Sequence, residues 1–257
     1  MKVAATIWSK DITLKEVTNY ISSVLTRATE TAQNIIVFPG LLDVVYSTKE
    51  ESILNVIMQL SKKTNNLLIC PGSYFEQVEG KTYHSSCLIK NGKIVLKQRQ
   101  LYLAKWEQKL GLSRGTKLYF YPYHSFKIAL IISTDTFYPQ VTRYATLQGV
   151  NLVLSPVAII GKGYFSTQLS GLWQNIQQNT LFGVESGFKG YYNEHSFCSE
   201  SIIHAPIDIT EDENGILARE INNHSFISAS IQANKLQKDI AFQPLKQLNP
   251  DAYTNLF

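Results

Sequence analysis

Cysteine is scarce: three residues among 257, Cys70, Cys87 and Cys198. Their odd number and wide spacing exclude a disulfide framework and fit reduced thiols within a core. His195 and Cys198 form one close pair of ligand types, but structural zinc wants four ligands and no second pair lies nearby, so no metal site is expected. Long apolar runs are also missing. Ile128 to Ile132 and Leu152 to Ile160 fall short of the roughly 18 residues that span a bilayer, and Val3 to Trp8 is too short for the apolar core of a signal peptide. Charge is thin as well: Asp, Glu, Lys and Arg make up 17% of the chain, with a formal net charge of +4. The basic residues are scattered and never interleaved with aromatics, which argues against a nucleic-acid surface. The expected protein is cytoplasmic, with neither membrane nor nucleic acid as a partner.

What is present is an ordinary globular composition, 44% apolar, enough to rule out a disordered chain. No internal repeat and no linker breaks the sequence, so a single domain over 1–257 is expected, with 235–257 as an extended tail marked by Pro244 and Pro250 that covers a neighbouring subunit. The first half alternates short apolar runs with amphipathic segments. Val3 to Trp8, Ile35 to Phe38 and Leu67 to Cys70 read as strands. Leu14, Val17, Ile21, Val24, Leu25 and Ala28 fall at helical spacing, as do Ile53, Ile57 and Leu60. Thr13 with Glu16, and Thr48 with Glu51, carry the spacing of capping boxes at the two helix starts.

From Tyr83 the pattern changes. Tyr83 to Lys90 and Lys93 to Lys97 flank Asn91-Gly92, a pair suited to the positive φ angles of a tight hairpin. A strand at Phe126 to Ile132, a helix at Val141 to Gln148, a strand at Leu152 to Leu154 and a helix across Thr167 to Thr180 follow. Ser201 to His204, a second turn at Asn214-Gly215 and Phe226 to Ile231 extend strand content nearly to the end.

Four passages, taken in order, resemble the nitrilase superfamily of carbon-nitrogen hydrolases. Ile35-Ile36-Val37-Phe38-Pro39-Gly40 is similar to that family's apolar strand ending in Phe-Pro-Glu, with Gly40 in place of the glutamate. Gln98-Arg99-Gln100-Leu101-Tyr102-Leu103 resembles Tyr-Arg-Lys-x-His-Leu, with Gln100 on the lysine. Ala129 to Pro139 resembles the strand that ends in Cys-x-Asp and runs on to Phe-Pro, with Ser133 on the cysteine. Gly149 to Pro156 is similar to Gly-Ala-x-Leu-x-x-x-Pro and, with Arg143 and Trp173, supports the register. Gln178-Asn179 and Ser201 to Pro206 are looser matches.

The resemblance implies an α/β fold: a four-layer α-β-β-α sandwich of two mixed β-sheets flanked by helices, paired into a homodimer through the helix after Ser133. It calls for no cofactor. In the family the glutamate is the general base, the cysteine thiolate attacks an amide or nitrile carbon, and the lysine stabilises the tetrahedral intermediate. Gly40 supplies no proton acceptor, Gln100 offers a hydrogen bond without charge, and a hydroxyl such as that of Ser133 is a weak nucleophile without an adjacent base. The expectation is therefore a catalytically inactive member with a binding, regulatory or scaffold role. The competing expectation is a divergent hydrolase of C–N bonds with Ser133 as nucleophile and Glu107 or a distant histidine as base.

Glu107 matches a second, pocket-lining glutamate of the family, although its neighbours Lys105 and Lys109 equally suit a solvated helix. Asp135 matches the aspartate of Cys-x-Asp or caps a turn. Thr134 and Tyr138 complete the candidate pocket, which would suit a small-molecule ligand. Tyr102, Trp106, Tyr119, Phe137, Tyr138 and Phe165 are candidates to fill it.

Overall fold

The computed structural model describes residues 1–64, 66–161, 165–220 and 225–238. In chain order the elements are β1 (Lys2–Thr6), α1 (Val17–Glu30), β2 (Ile35–Val37), α2 (Leu42–Tyr46), α3 (Ile53–Ser61), β3 (Leu68–Cys70), β4 (Ser73–Val78), β5 (Lys81–Lys90), β6 (Lys93–Arg99) and α4 (Lys105–Lys109). Then come β7 (Phe120–Tyr123), β8 (Phe126–Leu130), a 3₁₀ turn at Ser133–Phe137, α5 (Pro139–Leu147), β9 (Leu152–Val157), α6 (Phe165–Leu169), α7 (Leu172–Asn179) and β10 (Phe182–Gly187). The last are β11 (Lys189–Tyr192), β12 (His195–Cys198), β13 (Ile202–His204), β14 (Ile216–Arg219), β15 (Phe226–Ser230) and α8 (Lys235–Lys238).

One sheet runs β15-β1-β2-β3-β5-β4 with β6 paired to β5, the other β14-β13-β10-β9-β8-β7, and β11 pairs with β12. Both large sheets are mixed, with parallel ladders β1-β2-β3 and β8-β9-β10. Their facing sides bury Val3, Ile35, Val37, Leu68 and Leu88 from one sheet against Ile128, Leu130, Leu152, Leu154 and Val184 from the other. The outer side of the first sheet is covered by α1 and α3 through Ile21, Val24, Leu25 and Ile57. That of the second is covered by α5 and α7 through Val141, Ala145, Leu172 and Ile176. These are the four layers that the resemblance implies, because each sheet has two apolar faces and only stacking hides both.

The hairpin forms as expected, with Asn91 at φ 50° and Gly92 at φ 76°. Helix starts differ from expectation. The Glu16 carboxylate does accept the Thr13 amide at 3.1 Å, but the Thr13 hydroxyl donates to that carboxylate at 2.6 Å instead of accepting from the backbone. The helix consequently begins at Val17 and leaves Leu14 exposed. At the second start the Thr48 hydroxyl accepts from the Glu51 amide, yet the helix opens later, with Ser52 as its cap. The expected helix 167–180 is two helices broken at Ser170-Gly171. Asn214-Gly215 ends a longer loop between β13 and β14, with positive φ at Glu213 and Gly215. The tail expected to be extended from Lys235 starts as the short helix α8; its remainder, from 239 onward, lies outside the described residues.

Truncation at the junction of the two sheets should be costly. Leu154→Ala is expected to lower unfolding free energy by about 2–5 kcal/mol, whereas Leu14→Ala at the surface changes it by less than about 0.5 kcal/mol. Urea denaturation of both variants measures the contrast.

Candidate active site

Gly40, Gln100 and Ser133 lie just past the ends of β2, β6 and β8 respectively. The carboxyl ends of parallel strands are where an open α/β sheet leaves a crevice. Here that crevice is closed by the end of β9. The Gly40 amide donates to the Val157 carbonyl at 3.3 Å. A Cβ at position 40 would stand 2.8 Å from the Val157 carbonyl carbon and 3.0 Å from the Ala158 nitrogen. Glycine is required here by space, since these are backbone atoms that cannot swing aside.

The same segment occupies Ser133. Its hydroxyl, 2% exposed, donates to the Ala158 carbonyl at 2.9 Å and accepts from the Ala158 amide at 3.3 Å. Ser133 is also held at φ 44°, a left-handed conformation that costs a non-glycine residue about 1–2 kcal/mol. No carboxylate or imidazole reaches its oxygen among the described residues; a peptide carbonyl accepts the hydrogen bond but is no base for removing the proton. Gly40 and Ser133 are thus brought together by one stretch of backbone, and Gln100 is turned elsewhere.

Gln100 is fully buried. Its Nε2 donates to the Tyr102 carbonyl at 2.6 Å and to Glu107 Oε2 at 2.8 Å, while its Oε1 has no partner among the described residues. Glu107 is fully buried too, which corrects the solvated alternative. It sits in the first turn of α4, and Oε2 also accepts the Ala104 amide at 2.7 Å. Oε1 meets His84 Nδ1 at 2.6 Å, and His84 Nε2 meets Ser73 Oγ at 2.6 Å. The Leu41 amide donates to Ser73 Oγ at 2.7 Å. One proton arrangement satisfies every member: Leu41 N–H to Ser73, Ser73 O–H to His84 Nε2, and His84 Nδ1–H to an ionised Glu107. The chain begins one residue beyond Gly40 and ends at Gln100, so it links two of the three aligned positions.

Asp135, 1% exposed, spans two backbone segments. Its carboxylate accepts the Leu101 amide at 2.9 Å and the Tyr102 amide at 2.7 Å. It therefore fastens the residues after Gln100 to the turn after Ser133, which goes beyond the local turn cap expected. Tyr102 and Tyr138 stack with centroids 3.9 Å apart. Thr134 is half-buried beside them. Trp106 packs against Phe197 and Tyr192 in the core beneath α4, and Tyr119 is half exposed on a different face of β6. Sequence reasoning missed His84 and Ser73, which do not stand out because β4 and β5 carry several other polar residues.

Burial pushes the Asp135 carboxyl up to about 7, opposed by its two amide donors and reinforced by the charge of Glu107. Because the folded value lies above the unfolded one, the proton binds the folded state more tightly. The contribution is present at acid pH and lost as pH rises from about 4 through 7. Between pH 5 and 7 the stability of the wild type is expected to fall by roughly 2 kcal/mol relative to Asp135→Asn. Urea titrations of both proteins at the two pH values measure this difference; parallel curves would refute it.

Comparison with known proteins agrees with this fold. The carbon-nitrogen hydrolase family model matches residues 3–182. The "Probable hydrolase YhcX" of Bacillus subtilis (strain 168) is 27% identical over 173 residues, covering 65% of this chain and 33% of that protein, so the chain spans about a third of that relative's length. Among solved structures, an amidase from Nesterenkonia sp. AN1 with the acetamide moiety of fluoroacetamide on its active-site cysteine superposes with a TM-score of 0.79 at 14% identity, covering 100% of this chain and 97% of that one. The NitN amidase from the same source gives a TM-score of 0.78 at 14% identity and full coverage of both chains. With its fold, its strand-end site and a family match over most of its length, the chain belongs to the carbon-nitrogen hydrolase family.

Proposed function

We propose that this protein is a catalytically inactive member of its family that keeps the scaffold for a binding or regulatory role. The observation that carries the reading is the Val157–Ala158 backbone, which lies against the Gly40 Cα and takes both hydrogen bonds of the Ser133 hydroxyl. A general base at position 40 has no room, and the only acceptor of the hydroxyl among the described residues is a peptide carbonyl, which is no base. Gln100 holds Glu107 through a neutral amide, so an oxyanion would meet no lysine charge. Charged donors make hydrogen bonds about twice as strong as neutral ones.

The competing reading, a hydrolase with Ser133 as nucleophile, requires a base within about 3 Å of that hydroxyl or one water away. Glu107, the base that reading names, is committed to His84, Gln100 and the Ala104 amide.

Purified protein is expected to release no ammonia from amides, nitriles or carbamoyl compounds above background. Ser133→Cys should remain inactive, since the thiol, with an ordinary pKa of about 8.5, gains neither base nor lysine. The triple change Gly40→Glu, Gln100→Lys, Ser133→Cys should also fail, and Gly40→Ala alone should cost about 1–3 kcal/mol of stability through overpacking. Wild-type turnover that disappears in Ser133→Ala would overturn the inactive reading and establish the serine hydrolase.

The scaffold is proposed to be a homodimer. Tyr144 and Leu147 leave 51% and 57% of their surface exposed on α5, the helix after Ser133. Exposed apolar side chains on one helix favour covering by a second copy. Light scattering at micromolar concentration should give twice the chain mass, and Leu147→Asp should shift the protein to monomer; a wild-type monomer would count against the interface. The buried, unpaired thiols Cys70 and Cys87 suit a reducing compartment, in keeping with a cytoplasmic location.

A further inference from the structure

β6 has two faces with separate fates. Gln98 and Gln100 turn inward and are buried, whereas Val95, Lys97 and Arg99 alternate onto the outer face. Along the edge of β6 away from β5 runs the segment 114–119, and three hydrogen bonds fasten it there. The Gly115 amide donates to the Gln100 carbonyl at 2.7 Å, Gln98 Nε2 donates to the Lys117 carbonyl at 2.8 Å, and the Tyr119 amide donates to Gln98 Oε1 at 2.9 Å. Gly115 permits the approach, because a Cβ there would lie 2.8 Å from the Arg99 carbonyl oxygen. Strand and segment enclose a groove of about 490 Å³ whose walls include Tyr83, Lys97, Arg99, Arg114, Lys117 and Tyr119.

The charge in this groove is unbalanced. Glu76 on β4 answers Lys97 at 2.6 Å and Arg99 at 3.0 Å. The side-chain cations of Arg114 and Lys117 have no ion pair or hydrogen bond among the described residues. Arg99 is fixed in place, its guanidinium 4.1 Å above the Tyr83 ring while bound to Glu76. Tyr119, half exposed, offers an aromatic face on the same wall. Two unanswered cations beside pre-positioned rings are the complement of an anion joined to a planar group.

We propose that this groove binds a small phosphorylated ligand bearing a planar heteroaromatic ring, of the nucleoside monophosphate class. The phosphate is met by Arg114 and Lys117 and the ring rests against the tyrosines. The volume lies within the range of small-molecule pockets, about 300–1,000 Å³. Of the four cations on the groove walls, Lys97 and Arg99 are answered by Glu76, which leaves Arg114 and Lys117 for a ligand of low charge. The groove lies across β6 from the Ser133 site and stands independently of whether that site is active.

Calorimetric titration of the whole chain with AMP, adenosine and inorganic phosphate tests the assignment. AMP should bind with a micromolar to submillimolar Kd and adenosine at least about tenfold more weakly. Inorganic phosphate should compete with AMP. Arg114→Gln and Lys117→Gln should each weaken AMP by about tenfold without changing the thermal unfolding temperature, and raising ionic strength should weaken it further. Absence of AMP binding at millimolar concentration, equal binding of adenosine, or AMP binding indifferent to both variants would each overturn the proposal. So would a single-stranded RNA bound far more tightly than AMP.

Discussion

The contact on which the site depends is the approach of the β9 end to Gly40. In this sandwich β2 and β9 belong to opposite sheets, so their carboxyl ends meet only where the two layers converge. With no Cβ at position 40, the Val157 carbonyl carbon can come within van der Waals reach of the chain after β2. Once it does, the Ala158 peptide is presented to Ser133 and takes its hydroxyl as both donor and acceptor. One missing side chain therefore determines how the serine is used, and the identity of residue 133 matters less than the position of the backbone beside it.

Electrostatics follows the same logic. Two carboxylates, Glu107 and Asp135, are buried around this junction. A buried charge must be answered by hydrogen bonds or give up its ionisation. Glu107 receives three donors, from His84, Gln100 and the Ala104 amide. Asp135 receives two backbone amides and lies close enough to Glu107 for that charge to oppose its own ionisation. Gln100 meets Glu107 through a neutral amide, and His84 meets its other oxygen. The Ser73-His84-Glu107 chain is buried throughout, and its hydrogen bonds answer one another.

The sheets and the longer helices were legible in the sequence because propensity, period and turn chemistry are local: β-prone runs such as Tyr83 to Lys90, the Asn91-Gly92 turn and the Ile21-Val24-Leu25-Ala28 face each declare themselves within a dozen residues. Gly40, Gln100 and Ser133 were singled out through resemblance. What they do was not legible, because each partner comes from far along the chain: Ala158 for Ser133, His84 for Glu107, Asp135 for the amides after Gln100. Helix starts were misplaced where a side chain found a competing partner, as the Thr13 hydroxyl did with Glu16. The groove cations look scattered from 97 to 117 in sequence. Gln98, by holding the carbonyl of Lys117 and the amide of Tyr119, assembles them on one face.

Ser133 raises a last question, what holds a left-handed residue in place. Strain at such a position is often kept for a nucleophile, but it survives only while the surroundings over-determine it. Here they do so without reference to catalysis. Thr136 Oγ1 binds the Ser133 carbonyl at 2.7 Å, the Asp135 amide binds the Ile132 carbonyl at 2.9 Å, and the Asp135 carboxylate ties the turn to residues 101 and 102. Relaxing φ at Ser133 would pull on all of these and on the Ala158 peptide together. The strained turn is thus a structural necessity of the junction between β8 and α5. Its persistence is compatible with a site that binds nothing at Ser133 while the opposite face of β6 remains free to do so.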